Sequence, residues 1–312
     1  MDDTRRAVLD AVADGPTPGP DIADRLGVSR AAVWKHVEAL RSEGFAVEST
    51  DEGYRLAGVE GFGGPAIEYG LDAPFTVEFH DTVASTNTLA RERAEAGRRD
   101  HVVVAAEQTG GRGRLDREWT SPRGGLWLSA VLGPECPPAE APVFTLAAAV
   151  ALVRALDPLA VDASIKWPND VLLDTSEGHQ KVAGVLTEMA GEHDRVAWVV
   201  LGIGCNANVD PETLPPGATS LAEQAGTVDR RALAQRLLDA LDSLRGRPDA
   251  ILDAWREHAR TPGRRVRVET PRETVVGVAR DVETPGTLVV ETDDGRTVRV
   301  STGDCEHLRP AD

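Results

Sequence analysis

The sequence predicts an α+β protein in three parts, and three observations carry that prediction. Residues 1–57 hold helical patterns separated by a glycine and followed by an alternating stretch, as in a winged helix-turn-helix. Residues 74–260 cluster their strand-like runs instead of alternating each with a helix, which points to a central mixed-sheet α+β domain. Residues 262–312 are short alternating runs split by turns, for which a small SH3-like β-barrel is the simplest closed form. A Gly/Pro-rich stretch, "AGVEGFGGPAIEYGLDAP", divides the first part from the second, and residues 58–73 read as a linker.

Each element has its own reason. "TRRAVLDAVAD" has helical apolar spacing, and "PGPDIADRLG" is a short helix closed by Gly27. "VSRAAVWKHVEALRSEGF" follows, with Ser29 as its N-cap. Val33, Val37 and Leu40 fall on one face, Lys35 points away from it, and Arg30, Trp34 and Arg41 share a flank. "AVESTDEGYRL" alternates around an Asp-Glu-Gly turn and suits a two-stranded wing. Arg30, Trp34 and Lys35 are thus candidate DNA contacts of a recognition helix in a major groove. A helical interaction module of the same shape is the competing reading. With 11 acidic and 7 basic residues in 1–57, any DNA affinity should be modest and strongly salt-dependent. In the central part, "FTVEFH", "HVVVAAEQ", "GLWLSAVL", "KVAGVLTEMA" and "RVAWVVLGIG" read as strands. "STNTLARERAEAG", "FTLAAAVALVRAL" and "RALAQRLLDALDSL" read as helices. The last part alternates in "GRRVRVET", "TVVGVARDV", "TLVVETDDG" and "RTVRVST".

Composition bears on habitat more than on partners. Acidic residues number 51 against 34 basic, for a net charge of −17, and only Lys35, Lys166 and Lys181 are lysines. This balance resembles halophilic proteins, whose hydrated acidic surface keeps them soluble in a salt-rich cytoplasm. DNA would then be met by a local patch, and the few lysines become candidates for specific work. The start "MDDTRRAVLDAV" lacks an apolar signal core. Arg154 interrupts the longest apolar run before it reaches the ~20 residues of a bilayer span, so that run is expected to be a buried helix and no membrane contact is expected. Cys136, Cys205 and Cys305 form no CxxC pair or zinc pattern, which fits a reduced, cytoplasmic setting.

Five stretches carry candidate chemistry. "GGRGRLDREWTSP" places Gly111, Arg112, Gly113 and Arg114 in a strand-to-strand loop. Glycines there admit backbone N–H groups close to an anion, and arginines add forked donors for phosphate or carboxylate; an ordinary solvated turn is the alternative. Trp119 suits stacking on a ligand ring, or a place in the core. "KWPNDVLL" turns at Pro168-Asn169 and begins a strand at Asp170. Lys181 in "HQKVAGVLTEM" sits at a strand start, where an ammonium can reach into a cleft, or lie on the surface beside an edge strand. "VVLGIGCNAN" ends a strand in glycines and Asn206, and Ser85-Thr86-Asn87 cap a helix whose N-terminus could receive a polar ligand.

Taken in order, "STN", "EQTGGRGR…W.SP.GGLWLS", "KWPND", "K.AG.L.E" and "GIG.N.N" resemble the biotin–protein ligases over essentially the full chain. With the N-terminal winged helix the chain is similar to their bifunctional form, ligase and biotin operon repressor. The resemblance implies an ATP- and Mg²⁺-dependent reaction in the central ligase domain. Biotin becomes biotinyl-5′-AMP and then passes to a lysine of a biotin carboxyl carrier protein or domain, with no covalent enzyme intermediate. It also implies operator DNA as a partner and a homodimer on that DNA. By motif match, Ser85, Thr86, Asn87 and Gln108 line the biotin head-group pocket, and Gly111, Arg112, Gly113 and Arg114 fold over the acyl phosphate. Lys181 contacts the biotin carboxyl or α-phosphate oxygens, Trp119 and Asn206 hold the nucleotide, and Arg309 reaches the ATP phosphates. Lys181, Arg114 and Arg112 are the implied catalytic set.

One departure stands out. The family loop often continues with another glycine, and here that position is Asp116, free to bind Mg²⁺, pair with Arg117 or face solvent. Asp170 is open in the same way: metal ligand, lysine partner or structural cap. A biotin-sensing regulator without ligase activity, and a ligase for a related acid such as lipoate, are the alternative functions; the retained Lys181 and loop arginines argue against the first.

Overall fold

The structure, a computed structural model, describes residues 1–192 and 194–308 and divides into two compact units, Met1–Gly70 and Leu71–Asp312.

The first unit contains α1 (Asp3–Ala13), α2 (Gly19–Leu26), α3 (Arg30–Ser42), β1 (Phe45–Thr50), β2 (Gly53–Val59) and α4 (Gly64–Glu68). Asp2 caps α1 by accepting from the Arg5 amide at 2.8 Å, and Ser29 caps α3 by accepting from Ala32 at 3.1 Å. Val33, Val37 and Leu40 are buried against Val8, Val12 and Ile22, as their spacing predicted. β1 and β2 form the antiparallel wing, and its tip requires Gly53. A Cβ there would lie 2.2 Å from the Thr17 carbonyl oxygen, because Thr17 and Tyr54 exchange backbone hydrogen bonds. Arg30, Trp34 and Lys35 are exposed on α3, whereas Arg41 reaches Glu38, the Val47 carbonyl and Ser49, and so ties α3 to the wing. The stretch read as a linker carries α4, with Ala66 and Ile67 buried and Tyr69 edge-on to Phe45.

The second unit begins with β3 (Thr76–Val83), α5 (Thr86–Glu95), β4 (His101–Gln108), β5 (Leu126–Leu132) and α6 (Val143–Leu156). It continues with β6 (Ala163–Lys166), β7 (Asp170–Thr175), β8 (Gly178–Gly191), β9 (Val196–Cys205), α7 (Leu221–Ala225), α8 (Arg230–Ser243) and α9 (Pro248–His258). The seven strands run in the order β3-β4-β5-β9-β8-β7-β6; only β3 and β4, joined through α5, are parallel. This is the mixed sheet the strand clustering predicted. Strand alternation puts α5 and α6 on opposite faces. Glu188 on β8 bonds Asn87 of α5, and its neighbour Thr187 bonds Thr145 of α6. The Pro138–Leu159 stretch is long and apolar enough to cross a membrane by composition, but α6 within it is almost wholly buried between the sheet, α8 and α9.

The chain ends in β10 (Arg265–Glu269), β11 (Thr274–Glu283), β12 (Thr287–Thr292), β13 (Thr297–Val300) and β14 (Asp304–His307). They form a five-stranded antiparallel sheet ordered β13-β12-β11-β10-β14. Among the described residues no ladder joins β13 to β14, so the predicted barrel is not closed. The sheet must nevertheless curl. Flat edges would stand about 19 Å apart at four strand spacings, yet Val300 and Asp304 are four Cα steps apart and reach at most about 14 Å.

His307 sits at the end of this sheet, 3.0 Å from the Thr261 hydroxyl. Burial first, then the cations Lys166, Arg264 and Arg260, push its pKa down from 6.5 to about 4. Between those values the unfolded chain binds more protons than the folded one, so stability falls as pH drops through this window. His307→Gln is therefore expected to flatten the decline of Tm from pH 6.5 to pH 4, recorded by calorimetry. An unchanged decline would remove His307 as its source.

Candidate active site

One transverse row organises the sheet face that carries α5. Register pairs Lys166 with Asp170, Asp170 with Gly184, Gly184 with Gly204, and Gly204 with Trp127, and directly paired residues share a face. The two glycines leave room for the Trp119 indole. A Cβ on Gly204 would lie 2.6 Å from Trp119 Nε1, and one on Gly184 would lie 3.4 Å from its Cζ3. The buried Trp119 Nε1 has no hydrogen-bond partner among the described residues, so a donor is left waiting for an acceptor.

Above this row lies a cavity of about 490 Å³. One end is polar and already wired. The Thr86 amide donates to Gln108 Oε1 at 2.8 Å, Gln108 Nε2 donates to Ser121 at 2.9 Å, and Ser121 donates to the Trp119 carbonyl at 3.0 Å. Ser129 on β5 reaches Thr86 and Asn87, and Asn87 donates to Glu188 at 3.1 Å. Asn87 packs so tightly on β9 that a Cβ at Gly202 would stand 2.0 Å from its Oδ1. Ser85 caps α5 at the rim. A buried network of this kind fixes side-chain orientation, as recognition of a polar head group requires.

Lys181 stands in the middle. It pairs with Asp170 at 2.6 Å and lies 4.9 Å from the Trp119 ring centroid. In a regular strand, residues 181 and 184 would face opposite sides. The register with β7 passes from Val171↔Ala183 to Leu172↔Lys181, so Val182 is an extra residue, and this bulge turns Lys181 onto the cavity face. β8 lies between β7 and β9, so Lys181 is not beside an edge strand.

The Gly-Arg loop closes the other side. Gly111 is required: a Cβ would come within 2.4 Å of the Trp119 carbonyl oxygen, and the Trp119 amide donates to Gly111 at 3.0 Å. Gly111 therefore shapes the loop, while Arg112, Gly113 and Arg114 line the cavity. Arg114 donates to Asn169 Oδ1 at 3.1 Å and to the Gly303 carbonyl at 2.8 Å. Burial pulls its pKa down, and Asp304 and Asp170 pull it back up. Arg117 pairs with Asp304 on β14. Asp116 takes a left-handed φ of 56° and pairs with Arg112 at 3.3 Å, not with Arg117; aspartate is one of the residues that tolerates this region.

The structure thus gathers Ser85, Thr86, Asn87, Gln108, Arg112, Arg114, Trp119, Asp170, Lys181 and Asn206 about one cavity. Asn206 is buried and donates to the Thr219 carbonyl at 3.0 Å. Arg309 lies outside the described residues. Asp170 is a lysine partner here, and among the described residues no cluster of three or more metal-ligating side chains occurs. The three cysteines are free, with burial pushing Cys205 and Cys305 up to about 12. Ser121, Ser129, Asn169, Glu188 and Asp304 escaped sequence reasoning. Ser121, Ser129, Asn169 and Glu188 lie inside quoted motifs but had no role assigned, while Asp304 carries no local signal.

Comparison with known proteins agrees with this geometry. Residues 79–206 match the Biotin/lipoate A/B protein ligase family, residues 5–55 an HTH domain, and residues 261–308 the Biotin protein ligase C terminal domain. The chain is 38% identical over 295 residues to the bifunctional ligase/repressor BirA of Bacillus subtilis, covering 89% of this chain and 90% of that protein. It is 37% identical to the biotin–[acetyl-CoA-carboxylase] ligase of Mycobacterium tuberculosis over 73% of this chain and 89% of that one. The biotin protein ligase from Aquifex aeolicus in complex with biotin and ATP superposes with a TM-score of 0.58 at 25% identity, covering 75% of this chain and 98% of that one.

Proposed function

This chain belongs to the biotin protein ligase family, in its bifunctional ligase/repressor form, and from that premise we propose that it activates biotin with ATP, transfers it to a carrier lysine and represses transcription in response. The observation that carries the reading is the position of Lys181, between the wired polar end of the cavity and the arginine loop. Biotin's ring system enters the polar end, where Thr86, Asn87 and Gln108 are held in fixed orientation, and its carboxylate points toward Lys181. Adenine and ribose lie against Trp119 and near Asn206, where the unpartnered Nε1 finds an acceptor.

The chemistry needs charge neutralised more than it needs a nucleophile. A biotin carboxylate oxygen attacks the α-phosphorus, the bond to the β-phosphate oxygen breaks, and pyrophosphate leaves with the electron pair. Two anions must meet, and the transition state carries more charge on its equatorial oxygens. Lys181, Arg112 and Arg114 are placed around the cavity to offset that charge. The carrier lysine then attacks the acyl carbon and AMP departs. Closure of the loop over the mixed anhydride keeps water out between the two steps. Mg²⁺ fits the donor set, since it commonly uses one or two carboxylates together with substrate phosphates. Asp170 and Asp304, both on the cavity wall, are the residues that would hold it, and it would supply charge neutralisation of phosphate oxygens.

The test is transfer of labelled biotin to a carrier domain with ATP and Mg²⁺ in high-potassium buffer. ATP-dependent labelling is expected. Biotin binding without transfer would leave a sensor, and transfer of lipoate in its place would reassign the acid. Within this reading, Gly204→Ala is expected to displace the Trp119 indole and raise KM for ATP about tenfold, a typical loss for one aromatic contact. Biotin affinity, measured calorimetrically, should stay unchanged.

For the repressor, the exposed Arg30, Trp34 and Lys35 are the groove contacts, and Arg30 and Lys35 make no ion pair among the described residues. Operator DNA is bound by a homodimer whose two-fold matches paired half-sites. The acidic surface and free thiols suit a cytoplasmic protein.

A further inference from the structure

We propose that Lys166 binds the departing pyrophosphate, serving the first half-reaction alone. This inference rests on the ligase reading above and deepens it.

Lys166 is directly paired with Asp170 across the β6–β7 hairpin, so its stem leaves the sheet on the same face. That face is the cavity face, because Asp170 reaches Lys181 from it. The transverse row therefore runs from Trp119 over Gly204 and Gly184, past Lys181 and Asp170, and ends in Lys166 at the outer margin. If the nucleoside lies on Trp119 and the α-phosphate at Lys181, the β- and γ-phosphates extend toward the far end of that row. Lys166 as a residue is half-buried, yet its ammonium makes no hydrogen bond or ion pair among the described residues. An ammonium without a counter-ion, on the sheet face where the phosphates pass, is a point charge available to an anion.

The surroundings agree. Lys166 acts electrostatically on both Cys305 and His307, and His307 also feels Arg264, Arg260 and His179. The acidic groups facing this corner are Asp170 and Asp304, which pair with Lys181 and Arg117, and Asp174, which pairs with Arg260 and His179. The corner thus combines several cations on a chain of net charge −17, and of these Lys166 and Arg264 make no ion pair among the described residues, Arg264 donating instead to the Arg260 carbonyl at 3.2 Å. When the α-phosphorus to β-oxygen bond breaks, the bridging oxygen gains the electron pair, and an ammonium beside it stabilises the leaving group without taking part covalently.

Full-length Lys166→Met and Lys166→Arg are compared with the native chain. Steady-state adenylate formation, pyrophosphate-driven reversal from preformed biotinyl-5′-AMP, and transfer from supplied biotinyl-5′-AMP to a carrier domain are each measured. For Lys166→Met, KM for pyrophosphate in reversal should rise about 10- to 100-fold, the range for losing one charge-assisted contact, and adenylate formation should slow in step. Transfer and biotin affinity should stay at native values, and Lys166→Arg should recover most of the loss. A pyrophosphate KM within twofold of native overturns the proposal, as does an equal loss of transfer, which would mark Lys166 as structural. Failure of the native chain to form adenylate at all would instead overturn the ligase reading.

Discussion

Replacing Lys181 by alanine is expected to lower ATP–pyrophosphate exchange by at least about 10³-fold while the protein stays folded. Removal of a single preorganised donor at a developing anion costs about 10²–10³ in rate, and here a second effect adds to it. Lys181 is the partner of Asp170 at 2.6 Å. Its loss leaves that carboxylate uncompensated beside the position where the biotin carboxylate and the α-phosphate must meet. The variant therefore loses an attraction and gains a repulsion. Asp170→Asn alone should also lower exchange, because it removes the partner of Lys181 and a carboxylate that would hold Mg²⁺. Lys181 is partly exposed at the cavity wall, so the thermal midpoint should move by only a few degrees. Near-native exchange in Lys181→Ala would remove this residue from the reaction.

How much of this was legible in the chain depends on the range of the interaction. The buried face of α3, its Ser29 cap and the wing turn were readable because each rests on residues a few positions apart. The Gly-Arg loop, Lys181 and the Ser85–Asn87 cap announced themselves by residue type within short windows. β6 did not: "ASIK" is four residues long and shows no alternation strong enough to stand out. α9 does not stand out in the sequence although Pro248 lies in its first turn and Ile251, Leu252 and Trp255 form its buried face. α4 hid in a stretch whose glycines and prolines spoke louder than Ala66 and Ile67. The bulge at Val182, which aims Lys181, is a property of pairing with β7 and has no signature in β8 alone. Ser129 and Glu188 matter only because β5 and β8 pass beneath α5. Most of all, sequence position assigns Asp304 and Gly303 to the C-terminal barrel, whereas they take part in the site by holding the arginine loop.

That last contact sets the second large effect. Arg114→Ala is expected to release biotinyl-5′-AMP about 10- to 100-fold faster than the native chain, and to slow adenylation as well, by loss of charge-assisted contacts. The loop holds two consecutive non-glycine residues, Leu115 and Asp116, at a φ of 56°. A left-handed backbone costs Leu115 roughly 1–2 kcal/mol, and Asp116 less; Leu115 is exposed, so its burial returns nothing. Something else must hold this conformation, and Arg114 is the best placed. Its two donors reach different parts of the fold, Asn169 at the β6–β7 turn and the Gly303 carbonyl before β14, at 3.1 and 2.8 Å. Without it the loop keeps its own backbone bonds, Gly113 to Arg117 and Trp119 to Gly111, and the exposed side-chain pairs Arg112–Asp116 and Arg117–Asp304. Exposed ion pairs contribute at most about 1 kcal/mol and weaken further in salt. The open loop should then become the preferred state, letting adenylate out and water in. Lysine at 114 should restore charge but not the fork that joins two acceptors, so Arg114→Lys should recover adenylation more fully than retention. Stopped-flow release of a fluorescent adenylate, at low and high potassium, separates these outcomes. If Arg114→Ala retains adenylate as long as the native chain, the loop is held by contacts other than this arginine.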